Sequence, residues 1–169
     1  KTTQGVQQLD ASKPAGTIYK IQPVNSATVD LSANRDNTMF EGELADSHDV
    51  FAYIYFSAGG MGARPYRDGI SATAFPSGIT GVPAEVIESV APIRMHRREL
   101  LTDTGGAGKF RGGLGQEMVL EVLTGKPAIH SCMYDRTKFA AIGYHGGLPG
   151  TAGEVVRSDG YHPHPKSRY

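Results

Sequence analysis

A chain of 169 residues is long enough to bury a hydrophobic core and short for two domains. Its 17 basic and 17 acidic residues cancel, and neither half is strongly basic, which excludes the electrostatic footprint of a nucleic-acid or membrane-surface binder. The single cysteine, Cys132, excludes an internal disulfide, and its apolar setting in AIHSCMY reads as a buried thiol in a reducing compartment. No apolar run reaches the length of a membrane-spanning helix and no charged-then-apolar leader opens the chain, so a cytoplasmic protein is expected.

Residues 1–16 are rich in Gln, Lys, Thr and Ser and contain Pro14 and Gly16, which predicts a loose arm ahead of a single β-rich domain over 17–169. TIYKIQPV at 17–24 alternates and VFAYIYFS at 50–57 is a run of aromatic and β-branched residues; both predict strands. Between them, SANRDNT at 32–38 has turn chemistry and ELADSHD at 43–49 reads as a polar connection. Its adjacent Asp46, Ser47 and His48 are residue types of a catalytic triad, but triads are assembled from separated positions, so a hydrated turn is expected.

SATAFPSGITG at 71–81 is broken by Pro76, Gly78 and Gly81 into an irregular loop. VPAEVIESVAP then predicts one short helix, started by Pro83, stopped by Pro92 and carrying Glu85 and Glu88 in its first turns. Two carboxylates three residues apart share a helix face and suit either an acid/base pair or favourable dipole placement. IRMHRRELL at 93–101 alternates weakly, and its Arg94, His96, Arg97 and Arg98 read as a solvated charge run. QEMVLEVLT at 116–124 alternates as a half-buried strand, with helix as the alternative; PAIHSCMY at 127–134 and EVVRSDG at 154–160 add further strands. The fold class expected is mainly β, a sandwich or irregular barrel with one or two short helices, and α+β is the alternative.

Twelve of the 22 glycines fall between residues 59 and 115, ten of them in GGMGARPYRDG at 59–69 and DTGGAGKFRGGLG at 103–115. The second cluster fails the phosphate-loop template, because Asp103 stands where the first glycine belongs and Phe110 follows Gly108-Lys109. It fails the dinucleotide fingerprint too, since Gly112 comes one residue too far after Gly106 and Gly108. Two readings stay open: a nest of N–H groups for an anionic oxygen with Lys109 and Arg111 supplying charge, or a turn in which two backbones pack closely. In the first cluster, Arg64 and Asp68 suit either a loop-holding salt bridge or an exposed guanidinium for a carboxylate or phosphate. His130 reads as a core or interface residue and His145 as a turn residue; His162 and His164 flank Pro163 without a third ligand, so no metal site is expected.

Taken in order, GGMGARPYRDG, VPAEVIE, RRELLTDTGGAGKFRGGLGQE and YDRTKFAAIGYHGGLPGTAGEV resemble the hydantoinase B/oxoprolinase family over about residues 57–166. GITGVP at 78–83 departs from the family's Asn- or Ser-rich sequence there. The resemblance implies a fragment from the later part of a larger hydantoinase B-type subunit, in an ATP-dependent enzyme that opens cyclic amides, with a ketone carboxylase subunit as the alternative. A non-catalytic β-rich assembly module is the other reading. The resemblance further implies ATP bound by a hydantoinase A-type partner, a divalent metal held in a segment absent here, and a small-molecule substrate. The other implied contact is the remainder of its own subunit. On that reading Asp103 and Glu85 are acid/base or orienting groups, and Arg64, Asp68, Lys109 and Arg111 face the substrate.

Overall fold

The computed structural model describes residues 5–8, 18–22, 35–74, 78–134 and 136–157. Eight strands and one helix follow in the order β1 (Gly5–Gln8), β2 (Ile18–Gln22), β3 (Arg35–Glu43), β4 (Val50–Ala58), α1 (Ala84–Val90), β5 (Ile93–Leu101), β6 (Gly115–Val122), β7 (Ile129–Tyr134) and β8 (Glu154–Arg157). They form two four-stranded sheets, β1-β7-β3-β4 and β5-β6-β2-β8, in which every pairing is antiparallel. Only β3–β4 and β5–β6 join neighbours in sequence; the other ladders are long-range.

The two sheets share one core. Phe40, Tyr55, Cys132 and Tyr134 from the first sheet pack with Ile93, Met118, Leu120, Val122 and Val155 from the second, and α1 adds Ile87. Strand periodicity explains this partition: on β4, Tyr55 and Ser57 point inward while Ile54 and Phe56 stay exposed. Each fully buried side chain of this size contributes roughly 1.5–3 kcal/mol through loss of apolar contact with water. The mainly β expectation holds, in its sandwich form with one helix. That helix sits where Pro83 and Pro92 bracket it, and Glu88 Oε1 accepts the Met95 N–H at 2.8 Å, tying α1 to β5.

One expectation needs correction. The Asn and Asp content of 32–38 predicts a turn, yet β3 begins at Arg35 and runs for nine residues. Pairing on both sides, with β4 along its length and with β7 from Asn37 to Glu41, overrides the low strand propensity of Asp36 and Asn37. Within the segment 1–16, Gly5–Gln8 form β1 against β7. The remaining residues of that arm lie outside the described residues, as do Pro76, His162, His164 and the end of the 154–160 segment.

His130 is completely buried on the inner face of β7. Its ring stacks on Phe40, with centroids 4.3 Å apart, and Nε2 lies 3.0 Å from the Cys132 thiol. Burial pushes its pKa down to about 3, because a charged imidazolium would lose its hydration there. The unfolded chain therefore takes up the proton first as pH falls: the stability from neutral His130 is whole above about pH 6.5 and is lost toward pH 3. Between about pH 6.5 and 5, above the carboxylate range, denaturant unfolding of the protein is expected to show stability falling by about 1 kcal/mol per pH unit, with His130→Phe flattening that slope.

Candidate functional site

The glycine clusters occupy one end of the sandwich, where the edge strands β4 and β5 run out. The loop after β4 (59–71) lies against the β5–β6 loop (102–114) through main-chain bonds: Gly69 N–H donates to Arg111 O at 2.7 Å, and Gly113 N–H to Met61 O at 2.8 Å. The β7–β8 loop joins them, with Leu148 N–H donating to Ala107 O and Thr151 N–H to Thr104 O. Side chains complete this mat of loops: Ser71 Oγ accepts the Leu114 N–H, and Thr104 Oγ1 accepts the Gly115 N–H while donating to Leu101 O. At Gly69, an added Cβ would lie 2.0 Å from Met61 O and 2.5 Å from Gly113 N. Gly69, Gly105 and Gly113 thus stand where two backbones pack closely and a Cβ has no room.

Three of the candidate site residues meet in this mat. Arg64 donates through Nε and Nη2 to the main-chain oxygen of Asp68, so the pair is held by a guanidinium–carbonyl fork in place of a salt bridge. The Asp68 carboxylate turns the other way and accepts the Arg111 N–H at 2.8 Å. Arg111 and Lys109 present exposed cations from the same loop; the Lys109 ammonium lies 5.6 Å from the Phe110 ring centre. Asp103 starts that loop in a left-handed turn (φ 58°), exposed and without a side-chain partner among the described residues. Glu85 is exposed on α1, outside the mat, and Glu88 Oε1 accepts the Met95 N–H.

The charge run on β5 resolves into two faces. On the outer face, Arg97 pairs with Glu117 at 2.9 Å and Glu99 at 3.2 Å, while Glu121 takes His96 at 2.8 Å and Arg94 at 3.9 Å. A β-bulge between Met95 and Arg97 then shifts the alternation by one residue and brings Arg98, opposite Met118, to the inner face. There it meets a polar cluster that sequence reasoning missed. Arg98 Nε and Ser57 Oγ both donate to Gln116 Oε1, at 3.3 and 3.4 Å, and Arg98 Nη1 donates to Val82 O at 2.7 Å. The Arg98 guanidinium lies 5.9 Å from the centre of the Tyr55 ring, whose hydroxyl is buried without a partner among the described residues. Ser57 and Arg98 line a small cleft with Thr80, Gly81 and Ile79. The only sequence signal is the weakness of the alternation over 93–101, which is what an inserted bulge residue produces.

The turn at 44–49 behaves as a connection. Ser47 Oγ accepts the Asp49 N–H, and His48 turns to Glu43, which Lys126 also contacts. The hydrogen bond from Lys126, then that from His48, holds the Glu43 carboxyl below the usual glutamate range. His145 is exposed in a left-handed turn. Among the described residues no three His, Cys, Asp or Glu side chains converge to hold a metal ion, and no helix is long and apolar enough to cross a membrane.

A model of the hydantoinase B/oxoprolinase family matches residues 21–168. The chain belongs to this family. It is 32% identical over 111 residues to 5-oxoprolinase 1 of Arabidopsis thaliana, a match over 65% of this chain and 9% of that protein. It is 31% identical over 121 residues to the B-type subunit of a putative D-/L-hydantoinase from a Pseudomonas species, covering 71% of this chain and 20% of the relative. The acetone carboxylase alpha subunit of Xanthobacter autotrophicus is 30% identical over 127 residues, covering 72% and 16%. The chain thus spans a small part of the hydantoinase B/oxoprolinase relatives it matches.

Within this family member, the mat makes a quantitative prediction. A Cβ at Gly113 would lie 2.4 Å from Ile70 O and 3.0 Å from Gly60 Cα, both backbone atoms that cannot swing away. Gly113→Ala is expected to lower stability in denaturant unfolding by roughly 1–3 kcal/mol through overpacking. Gly146 has open space around it but a φ of +84°, so Gly146→Ala is expected to cost about 1 kcal/mol and Gly146→Asn less.

Proposed function

We propose that this chain is part of the B-type subunit of an ATP-dependent cyclic-amide hydrolase of the hydantoinase/5-oxoprolinase type, and that it contributes substrate-facing loops and a partner interface. The observation that carries this reading is the family match over 21–168. Relatives named as a 5-oxoprolinase and as a hydantoinase component support the substrate class. The partners are a hydantoinase A-type subunit, which supplies ATP-driven activation of the amide, and the remainder of the chain's own subunit, which holds the divalent metal. Exposed Tyr66, Phe139, Tyr144 and Leu148 on the mat's loops suit such contacts, since apolar groups clustered on loops mark interaction surfaces. The site is cytoplasmic.

The mat's chemistry fits this role. Arg64 and Asp68 hold the loop edge that faces the substrate, and Lys109 and Arg111 offer unspent charge to a carboxylate or phosphorylated oxygen. Asp103 and Glu85 are the acid/base or orienting carboxylates. A ketone carboxylase subunit is the second reading, favoured by the acetone carboxylase relative. A purely structural assembly module is the third, favoured by the glycine packing.

Co-expression of the full-length subunit with its A-type partner is expected to give ATP consumption coupled to ring opening when 5-oxoproline and hydantoins are screened beside simple ketones. Arg64→Ala and Arg111→Ala are expected to lower kcat/KM by about tenfold or more while the complex still assembles by size-exclusion chromatography. Unchanged turnover in both variants favours the assembly module, and turnover without ATP or without the partner overturns the assignment.

A further inference from the structure

Arg98 is a cation without an anion among the described residues. Its neighbours in the acidic set are committed elsewhere: Glu117 and Glu99 to Arg97, Glu121 to His96 and Arg94, and Glu88 to the Met95 N–H. Arg98 instead has neutral partners, namely Gln116 Oε1, Val82 O and the Tyr55 ring. A half-buried guanidinium facing apolar neighbours such as Met118 costs desolvation energy that neutral hydrogen bonds offset only in part. Without the bulge Arg98 would lie on the outer face among the glutamates.

Its remaining nitrogen points to what the position is for. Nη2 has no hydrogen-bond acceptor among the described residues and lies beside Gly81, where an added Cβ would come within 2.9 Å of it. The cleft it borders holds the Ser57 and Thr80 side chains and otherwise small or apolar ones, Ala58, Ala72, Ala74 and Ile79. The room inside is about 20 Å³, when a single water needs about 10–15 Å³. That is room for about one water-sized group, such as a single carboxylate oxygen, and excludes a nucleotide.

We infer that the cleft between β4, β5 and the 78–82 loop is a subsite for the carboxylate of a small organic acid, with Arg98 as its binding residue. Nη2 donates to one carboxylate oxygen, and Nε and Nη1 stay locked on Gln116 and Val82, so the guanidinium is pre-oriented. Gly81 keeps the approach to Nη2 open. The subsite itself is independent of the reading proposed above; only the lactam ring chosen as a probe rests on it.

The test is calorimetric titration of the full-length subunit with 5-oxoproline, with its neutral carboxamide and with acetate, in the absence of ATP and partner. The wild type is expected to bind 5-oxoproline saturably and to bind the carboxamide about tenfold or more weakly, as loss of a charge-assisted contact requires. Arg98→Gln is expected to erase that preference, and Arg98→Lys to keep part of it. Gly81→Ala retains Arg98 but displaces Nη2, so it is expected to reduce the preference even if Arg98→Gln fails to fold. No acid binding by the wild type, equal binding of acid and carboxamide, or a preference that survives in Arg98→Gln or Gly81→Ala overturns the inference. If acetate binds in an Arg98-dependent way while the lactam does not, the subsite stands and the lactam reading falls. ATP-coupled ring opening without any carboxylate preference has the opposite meaning, removing the subsite and leaving the enzyme assignment intact.

Discussion

The constraint on which the rest of this domain depends is the approach of two backbones at Gly69 and Gly113, where neither position has space for a Cβ. The loops that meet there leave the exposed ends of β4 and β5, the edge strands of opposite sheets. Closing them against each other satisfies main-chain donors and acceptors that would otherwise face water or lie unpaired. It also sets the separation of the two sheets at that end, just where Ser57 on β4 reaches Gln116 on β6. Glycine there serves proximity more than left-handed geometry.

Electrostatics divide along the same sheet. The outer face of β5 and β6 carries a ladder of arginines, histidine and glutamates that pair with one another; most of it is partly solvated, but Glu117 is buried and pairs there with Arg97. One inserted residue at the bulge removes Arg98 from that ladder and places it inside the sandwich mouth. A single register step thus separates a charge that merely hydrates a surface from one that faces a cleft. The mat and the cleft lie at the same end of the molecule, since Gly115 and Gln116 are consecutive at the start of β6.

The chain belongs to the hydantoinase B/oxoprolinase family over residues 21–168. The relatives are several times longer than the matched stretch. Exposed aromatic and aliphatic side chains lie on the glycine loops, while the interior of the sandwich, from Phe40 to Val122, is closed on itself. Rigid strands carry the loops, and the loops carry the charge.

Much of this is readable from residue order. Alternation marks β2 and β6, a run of aromatic and β-branched residues marks β4, the paired prolines bracket α1, and the apolar AIHSCMY stretch announces a buried Cys132. The succession of four blocks points to the family, because order along a chain survives where individual loops are ambiguous. β3 is not readable: Asp36 and Asn37 have turn preferences, and only the ladders from β4 and β7 on either side outweigh them. Nor is the inner position of Arg98, since a period-2 pattern cannot say which residue of RMHRR is the bulge. By itself, then, the sequence determined composition-driven matters: a β-rich chain, charges that cancel and one short helix between two prolines. Tertiary structure alone decided which charges are paired and which are left facing a cleft, because that depends on strand register and on neighbours distant in the chain.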